Sequence, residues 1–312
     1  MRNVTIRQLQ IFAEATRLDS FALVAEKLHI TPAAVSFQIK QLESMVGFAL
    51  FERVGKKSVL TAPGTTLLGY AQTVLLALKD ADQALRAMKG LVGGKVSIGL
   101  ISTAKYIVPH ILARFQADNP GTEIALYDGN RQEIFDALVS GKVDLAVTGQ
   151  VPADLPISAV PFVSNPTVIA AAAGHMLAGY EHLHLTSLVG EPFIAREIGS
   201  GTRQLMDDFF RGQGLRARIS MTSSSNETIK QAVMAGMGLA LLSRHTIALE
   251  LRLGLLTELP IEGLPLQRSW YIAHRQGMPL LPIHKHLLGF LLERGQAIID
   301  TLEDRNGALR VS

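Results

Sequence analysis

The stretch that most constrains the fold runs from Thr31 to Val46, TPAAVSFQIKQLESMV. Thr31 is a natural N-cap, because its hydroxyl can accept an orphaned backbone N–H, and Pro32 at the first helical position gives up an N–H that would go unused. Val35, Ile39, Leu42 and Val46 then recur at spacings of four, three and four, so one apolar stripe faces a core. The opposite face carries Ala33, Ser36, Phe37, Lys40 and Ser44, small, polar or cationic apart from one aromatic. A helix buried on all sides would not present such a face. A helix laid in the major groove of DNA needs it, since short side chains near the N-terminus let the backbone come close.

The flanking residues extend this into a motif. Ser20 is placed to cap a short helix, Phe21 to Leu28, and His29-Ile30 makes a tight connection into Thr31. Two helices joined this way are helix-turn-helix grammar, shared with any αα-corner of a bundle. Thr5 to Arg17 predicts a helix in front, with Ile6, Leu9, Ile11, Phe12 and Ala13 as the face on which the next two pack. After Gly47, LFERVGKKSVLT predicts a hairpin with Gly55 at its tip and Arg53, Lys56 and Lys57 around it. Such a hairpin is either a wing that reaches phosphate or the minor groove, or a charged turn on an ordinary surface.

Charge supports the first option. The net charge is +3, yet residues 1–89 hold 11 Lys and Arg against 7 Asp and Glu, whereas the remainder holds 19 against 20. A length of 312 residues implies two or three domains, and 48% hydrophobic with 18% charged residues is a globular composition. With no apolar run of bilayer length and no secretory core in MRNVTIRQLQIF, the expectation is a cytoplasmic protein without a membrane partner. The absence of cysteine removes disulfides, thiolate metal sites and cysteine nucleophiles together.

From Thr61 the pattern becomes a long helix in which Leu67, Ala71, Val74, Leu78, Ala81, Leu85 and Met88 step alternately by four and three. A 3.5-residue repeat between two domains predicts a dimerisation helix, which would carry two recognition helices to palindromic half-sites. Gly90, Gly93 and Gly94 form a hinge-like linker. Beyond it, KVSIGLIS, TEIALYD and VDLAVTG read as strands alternating with helices YIVPHILARFQADNP and NRQEIFDALVSG, and a second such set runs on to a final helix at about 282–302. Alternation of this kind predicts a mainly parallel sheet in each of two α/β halves, with a ligand cleft between them.

Taken together, FxEA, SFxxxAxxLxIT, AVSxQIKQLE, LFER and LTxxG followed by a long helix resemble the LysR-type transcriptional regulators over roughly the first ninety residues, and the α/β remainder resembles the family's effector domain. Within the family, REIGSGTRQLMDDFF and SSNETIKQAVMAGMGLALLS are similar to regulators of the Calvin-cycle (RuBisCO) operon. The resemblance implies Pro32, Ala33, Ser36, Phe37 and Gln38 as groove-facing residues, with Arg53 in the wing; Thr31, Lys40, Lys56 and Lys57 complete the DNA-binding set. Many members have Gln where Pro32 stands and Arg where Phe37 stands, so adenine- and guanine-reading groups are missing. Phe37 would contact thymine methyls or pack against the wing.

In the second half, three loops put hydroxyls at strand ends or helix starts: Ser102-Thr103, Gly199-Ser200-Gly201-Thr202-Arg203 and Ser224-Ser225-Asn226. Free N–H groups and the helix dipole favour an anion there, although plain capping explains each loop singly. Arg196 could add a bidentate clamp, and Thr148 ends the strand facing the same cleft. GSGTRQ half-matches a dinucleotide fingerprint but has Gln204 in place of the third glycine. The family leaves a sugar phosphate, phosphoenolpyruvate or NADPH as effector. Ser200 lacks the G-x-S-x-G elbow of a nucleophile, and His182/His184 and His284/His286, two apart, read as surface histidines, not metal ligands.

The expectation is therefore a non-enzymatic α/β regulator without a resident cofactor or metal. A winged helix-turn-helix (1–61) and a linker/dimerisation helix (62–89) precede a two-lobed, periplasmic-binding-protein-like effector domain (94–302, lobe I about 94–163 and 268–302, lobe II about 164–267). Its partners would be promoter DNA, a small anionic metabolite, further copies of itself up to a tetramer, and RNA polymerase as an activator. The alternatives are a regulator of an unrelated operon, or a cytoplasmic solute-binding module that leaves the first 89 residues unexplained. Replacing Ser36→Arg puts a long side chain on the groove face and should weaken operator binding about tenfold or more, measured by gel shift against a nonspecific duplex; unchanged operator affinity would remove Ser36 from the interface.

Overall fold

The computed structural model describes residues 3–18, 20–54, 57–88 and 94–308, in two compact units, Met1–Gly90 and Leu91–Ser312. The first unit holds α1 (Ile6–Leu18), α2 (Phe21–Leu28), α3 (Pro32–Val46), β1 (Phe51–Val54), β2 (Lys57–Leu60) and α4 (Ala62–Met88). Thr5 and Gln8 cap α1 reciprocally: the Thr5 hydroxyl accepts the Gln8 N–H, and the Gln8 side chain accepts the Thr5 N–H at 2.9 Å. Thr31 caps α3 by accepting the Ala34 N–H at 3.2 Å, and Gly47, at φ 81°, ends it. Ser20, expected to cap α2, sits at the N-cap position without a side-chain bond. That helix ends at His29, φ 53°, the one left-handed non-glycine among the described residues, which turns the chain into α3.

Phe12, Val24, Val35, Leu42 and Leu50 seal the core of this unit, while Ile6, expected on the core face of α1, is 47% exposed. Polar ties that periodicity does not reveal fix the parts to each other. Gln8 Nε2 donates to Gln41 Oε1 at 2.9 Å, joining α1 to α3, and Glu43 Oε1 accepts the N–H groups of Leu50 and Phe51, fastening the hairpin to α3. Phe51 stands edge-on to Phe12 and Phe21 at 5.6 and 5.9 Å. The heptad seam of α4 divides. Leu67 and Ala71 join the core of their own unit, whereas Val74, Leu78 and Leu85 are 44%, 43% and 62% exposed. The side chain of Met88 lies outside the described residues, as do Gly90 and Gly93 of the linker.

The second unit consists of two α/β lobes. The first contains β3 (Lys95–Ile101), α5 (Val108–Asp118), β4 (Glu123–Gly129), α6 (Arg131–Val139), β5 (Leu145–Thr148) and β6 (Ile157–Ser164). The second contains β7 (Thr167–Ala172), β8 (Pro192–Arg196), α7 (Gly201–Gly212), β9 (Arg218–Ser223), α8 (Asn226–Met234), β10 (Ala240–Ser243), α9 (Ala248–Arg252) and β11 (Leu256–Glu258). The chain then returns to the first lobe with β12 (Ser269–Arg275) and α10 (Pro282–Ala308). The sheet orders are β4-β3-β5-β12-β6, β10-β7-β11 and β8-β9.

The sheets are mixed, which corrects the expectation of mainly parallel ones. β3 pairs in parallel with β4 and β5, and β8 with β9, but β12 runs antiparallel to β5 and β6, and β7 to β10 and β11. The cause is the double crossing: the chain leaves the first lobe after β6 and re-enters through β12, so the two crossing segments run in opposite directions. They stay bonded to each other, with Asn165 N–H to Arg268 O at 2.7 Å and Thr167 and Leu266 exchanging bonds at 3.0 and 2.9 Å. β6 escapes a sequence reading because Pro161 interrupts it, which an edge strand tolerates. His284, expected at the surface, is buried with its Nε2 3.7 Å from Asp144, whereas His182, His184 and His286 are exposed.

The glycine of the LTxxG segment has a steric cause. A Cβ on Gly64 would stand 2.2 Å from the Leu50 carbonyl oxygen, at the point where α4 crosses the start of the hairpin. Replacing Gly64→Ala should therefore destabilise the first unit by about 1–3 kcal/mol, visible as a lower urea midpoint; Gly69→Ala, which meets nothing within 4 Å, should not.

Candidate ligand cleft and nucleic-acid interface

Of the residues expected to face the groove on the first unit, Thr31, Pro32, Ala33, Phe37, Lys40 and Arg53 are exposed, and Ser36 and Gln38 are half-buried. Phe37 is 63% exposed, so it does not pack against the wing; the wing's own aromatic, Phe51, turns inward onto Phe12 and Phe21. Lys56 and the side chain of Lys57 lie outside the described residues.

In the second unit a narrow cleft of about 60 Å³ opens between the lobes. Of the residues expected there, Ser102, Thr103, Arg196, Ser200, Gly201 and Thr202 line it. Ser200 and Gly201 bring the N-terminus of α7 to the wall, and the Thr103 hydroxyl accepts from Trp270 Nε1 at 3.4 Å. Four expected residues do not line it. Thr148 is fully buried behind the wall, which Gly149 and Gln150 form in its place. Arg203 pairs with Asp207 at 3.0 Å and donates to the Arg196 carbonyl. Ser225 is an exposed helix cap that accepts the Thr228 N–H, and Asn226 is buried in a knot beside the cleft. The third hydroxyl loop thus supports the site without facing it.

That knot also changes the reading of Arg196. Its Nε and Nη2 grip both oxygens of Glu197 at 2.8 and 2.9 Å, and its Nη1 donates to Ser102 Oγ in the first lobe and Asn226 Oδ1 in the second, each at 2.8 Å. Asn226 Nδ2 donates to the Ser102 carbonyl at 3.2 Å. Its charge is compensated and four of its N–H donors are used, so Arg196 holds the lobes together and is no open clamp for an anion.

The uncompensated cations are two residues that the sequence reading passed over. Arg268 leaves the crossing segment and reaches the cleft with a long contact to the Gly201 carbonyl, 3.4 Å. Arg131, the first residue of α6, also lines the cleft, donating to the Gln150 carbonyl at 2.8 Å and lying over the Phe135 ring. Neither forms an ion pair among the described residues. Burial, and next the Arg131 charge, push the Arg268 guanidinium below its ordinary range. One signal for Arg131 was present in the sequence: a cation in the first turn opposes the helix dipole and needs another reason to be there.

A helix-turn-helix with an open outer face in one unit, and a cationic cleft between two α/β lobes in the other, define a ligand-responsive DNA-binding regulator. Residues 6–65 match the family model for bacterial regulatory helix-turn-helix proteins of the lysR family, and residues 89–296 match the LysR substrate binding domain. The chain belongs to the LysR family of transcriptional regulators. It is 44% identical to the transcriptional regulator CfxR of Cupriavidus necator, across 94% of this chain and 92% of that one. It is 39% identical to a RuBisCO operon transcriptional regulator of Allochromatium vinosum, across 90% and 93%. The solved regulatory domain of Synechocystis CcmR in complex with 2-PG is 36% identical, with a TM-score of 0.61, covering 64% of this chain and 96% of that one. Among the described residues no helix is long and apolar enough to cross a membrane, and no cluster of three His, Cys, Asp or Glu is arranged to hold a metal ion.

The two arginines should behave oppositely in ligand-free protein. Arg196→Gln strands the partly buried Glu197 and should cost about 2–3 kcal/mol of stability. Arg268→Gln removes one of two cations whose charges repel and should leave the urea midpoint unchanged or raise it. A loss of stability in Arg268→Gln equal to that of Arg196→Gln would show that Arg268 is structural.

Proposed function

We propose that this regulator binds the promoter of a carbon-fixation (RuBisCO) operon and takes as effector a small phosphorylated carboxylic acid, bound between Arg131 and Arg268. The observation that carries the effector reading is this pair of guanidiniums, neither ion-paired among the described residues, on a cleft wall that also presents several hydroxyls and the α7 N-terminus, while the one carboxylate on that wall, Glu197, is taken up by Arg196. A ligand with an anionic group at each end satisfies both cations at once. Size supports the same choice. A narrow cleft of about 60 Å³ has room for only a few waters, so 2-phosphoglycolate or phosphoenolpyruvate suits it better than NADPH. The relatives that regulate RuBisCO operons and the CcmR domain with 2-PG support the assignment.

On this reading the effector touches Ser102 and Arg131 from the first lobe, Ser200 to Thr202 from the second, and Arg268 from the crossing, and shifts the balance between two lobe arrangements. DNA is read by the N-terminal half of α3, where Phe37 offers an apolar contact suited to thymine methyls, with Arg53 and its neighbours on phosphate. The exposed stripe Val74, Leu78 and Leu85 of α4 meets the same stripe of a second copy, and two dimers form a tetramer that contacts RNA polymerase as a cytoplasmic activator without enzymatic activity.

Titration calorimetry of the full chain with 2-phosphoglycolate, phosphoenolpyruvate, ribulose bisphosphate and NADPH tests the effector. The small phosphorylated acids should bind, and Arg268→Gln should weaken them about thirtyfold, the worth of a charge-assisted pair near 2 kcal/mol. Thr202→Ala should weaken the effector-dependent change in the DNaseI footprint and leave basal DNA affinity intact. NADPH binding with full affinity to Arg268→Gln, with no binding of the acids, would overturn the proposal.

A further inference from the structure

A second cavity, of about 410 Å³, lies between the lobes apart from the cationic cleft. Much of its wall is apolar, with Ile107 ahead of α5, Ile299 and Leu302 on α10, and Ala248 and Leu249 at the start of α9, and His110, His245 and Arg252 also line it. One end is polar and already paired within itself. The buried Lys230 donates to Glu250 at 2.8 Å and to Glu227 at 3.0 Å, and lies 5.1 Å from the centre of the Tyr106 ring, whose hydroxyl donates to Glu227. Burial would raise the Glu227 carboxyl, but the Tyr106 and Lys230 donors hold it below its ordinary range, so it stays ionised. With two carboxylates on one ammonium, this end has no spare positive charge from Lys230.

Two polar atoms on the same wall are left over. Glu250 Oε2 and the hydroxyl of Thr246, residues 9% and 2% exposed, have no hydrogen-bond partner among the described residues. A buried carboxylate oxygen accepts only, and leaving it unmatched costs free energy that a donor would recover. An anion placed there would face that oxygen and be repelled; an apolar body with an N–H or O–H head satisfies both ends. We propose that this cavity is a second ligand site, taking a ring-sized apolar molecule with an amine or hydroxyl group, of chemistry opposite to the anion of the first cleft and independent of it.

The test uses the full chain with phenethylamine, 2-phenylethanol and phenylacetate, which share a ring and differ in the head group, followed by saturation-transfer NMR and calorimetry. The amine and the alcohol should bind and phenylacetate should not. Ala248→Trp, which fills the cavity, should abolish binding; Glu250→Gln should weaken the amine about tenfold, as loss of a charged partner near 1.4 kcal/mol predicts. Thr246→Val is close in shape and should weaken the alcohol, so the polar end is tested even if the tryptophan disturbs folding. Arg268→Gln should change none of these affinities. Phenylacetate binding as well as the amine, amine binding that survives a folded Ala248→Trp, loss of the amine in Arg268→Gln, or no binding by any probe would each overturn the proposal.

Discussion

The antiparallel bonding of the two crossing segments is the constraint on which the second unit depends. Asn165 and Thr167 on the outgoing segment bond to Arg268 and Leu266 on the returning one, so neither lobe can translate without breaking backbone hydrogen bonds. Rotation about this ribbon is the remaining freedom, and hinges of that kind absorb their change in a few residues. The same bonding places Asn165 and Arg268 in the cleft wall, at the axis about which the lobes would turn.

Charge in the cleft is arranged by geometry, not by count. Three arginines line it, but Arg196 is spent on Glu197, Ser102 and Asn226, so the guanidinium most deeply placed contributes least to an incoming ligand. Arg131 and Arg268 have no such compensation among the described residues, and the range of Arg268 is depressed first by its burial and then by the Arg131 charge. Arg131 also stands against the dipole of its own helix, a cost that an anion beside it reverses.

What could be read in the sequence was what local chemistry decides. The N-cap at Thr31, the stripe Val35, Ile39 and Leu42, and the helix start at Ser200 to Thr202 follow from residues within one or two turns, and the structure has them. Arg268 was illegible because its role comes from strand pairing about a hundred residues away from its neighbours in the cleft. The ties of Glu43 to the hairpin and of Gln8 to Gln41, 7 and 33 residues apart, were hidden because they join different elements and leave no mark on periodicity. The opposite error occurred at Ser225, where a helix start looked like the other two but caps itself, and at Thr148, whose strand reaches the cleft while its side chain points into the wall. On α4 the period was right and the burial was not uniform, since a seam in sequence does not say which turns are already taken by the helix's own unit.

A ligand can move such an equilibrium only by the difference in its affinity for the two arrangements. Ser102 and Asn226 bond across the lobes through Arg196, so that knot opposes any rotation that separates them. An anion held by Arg131 on one lobe and the α7 N-terminus on the other adds a contact present only when the lobes are close. Removing the repulsion between Arg131 and Arg268 adds a second term of the same sign. Binding would therefore favour the closed arrangement through both attraction and relief of like charge, which is the differential free energy a switch requires.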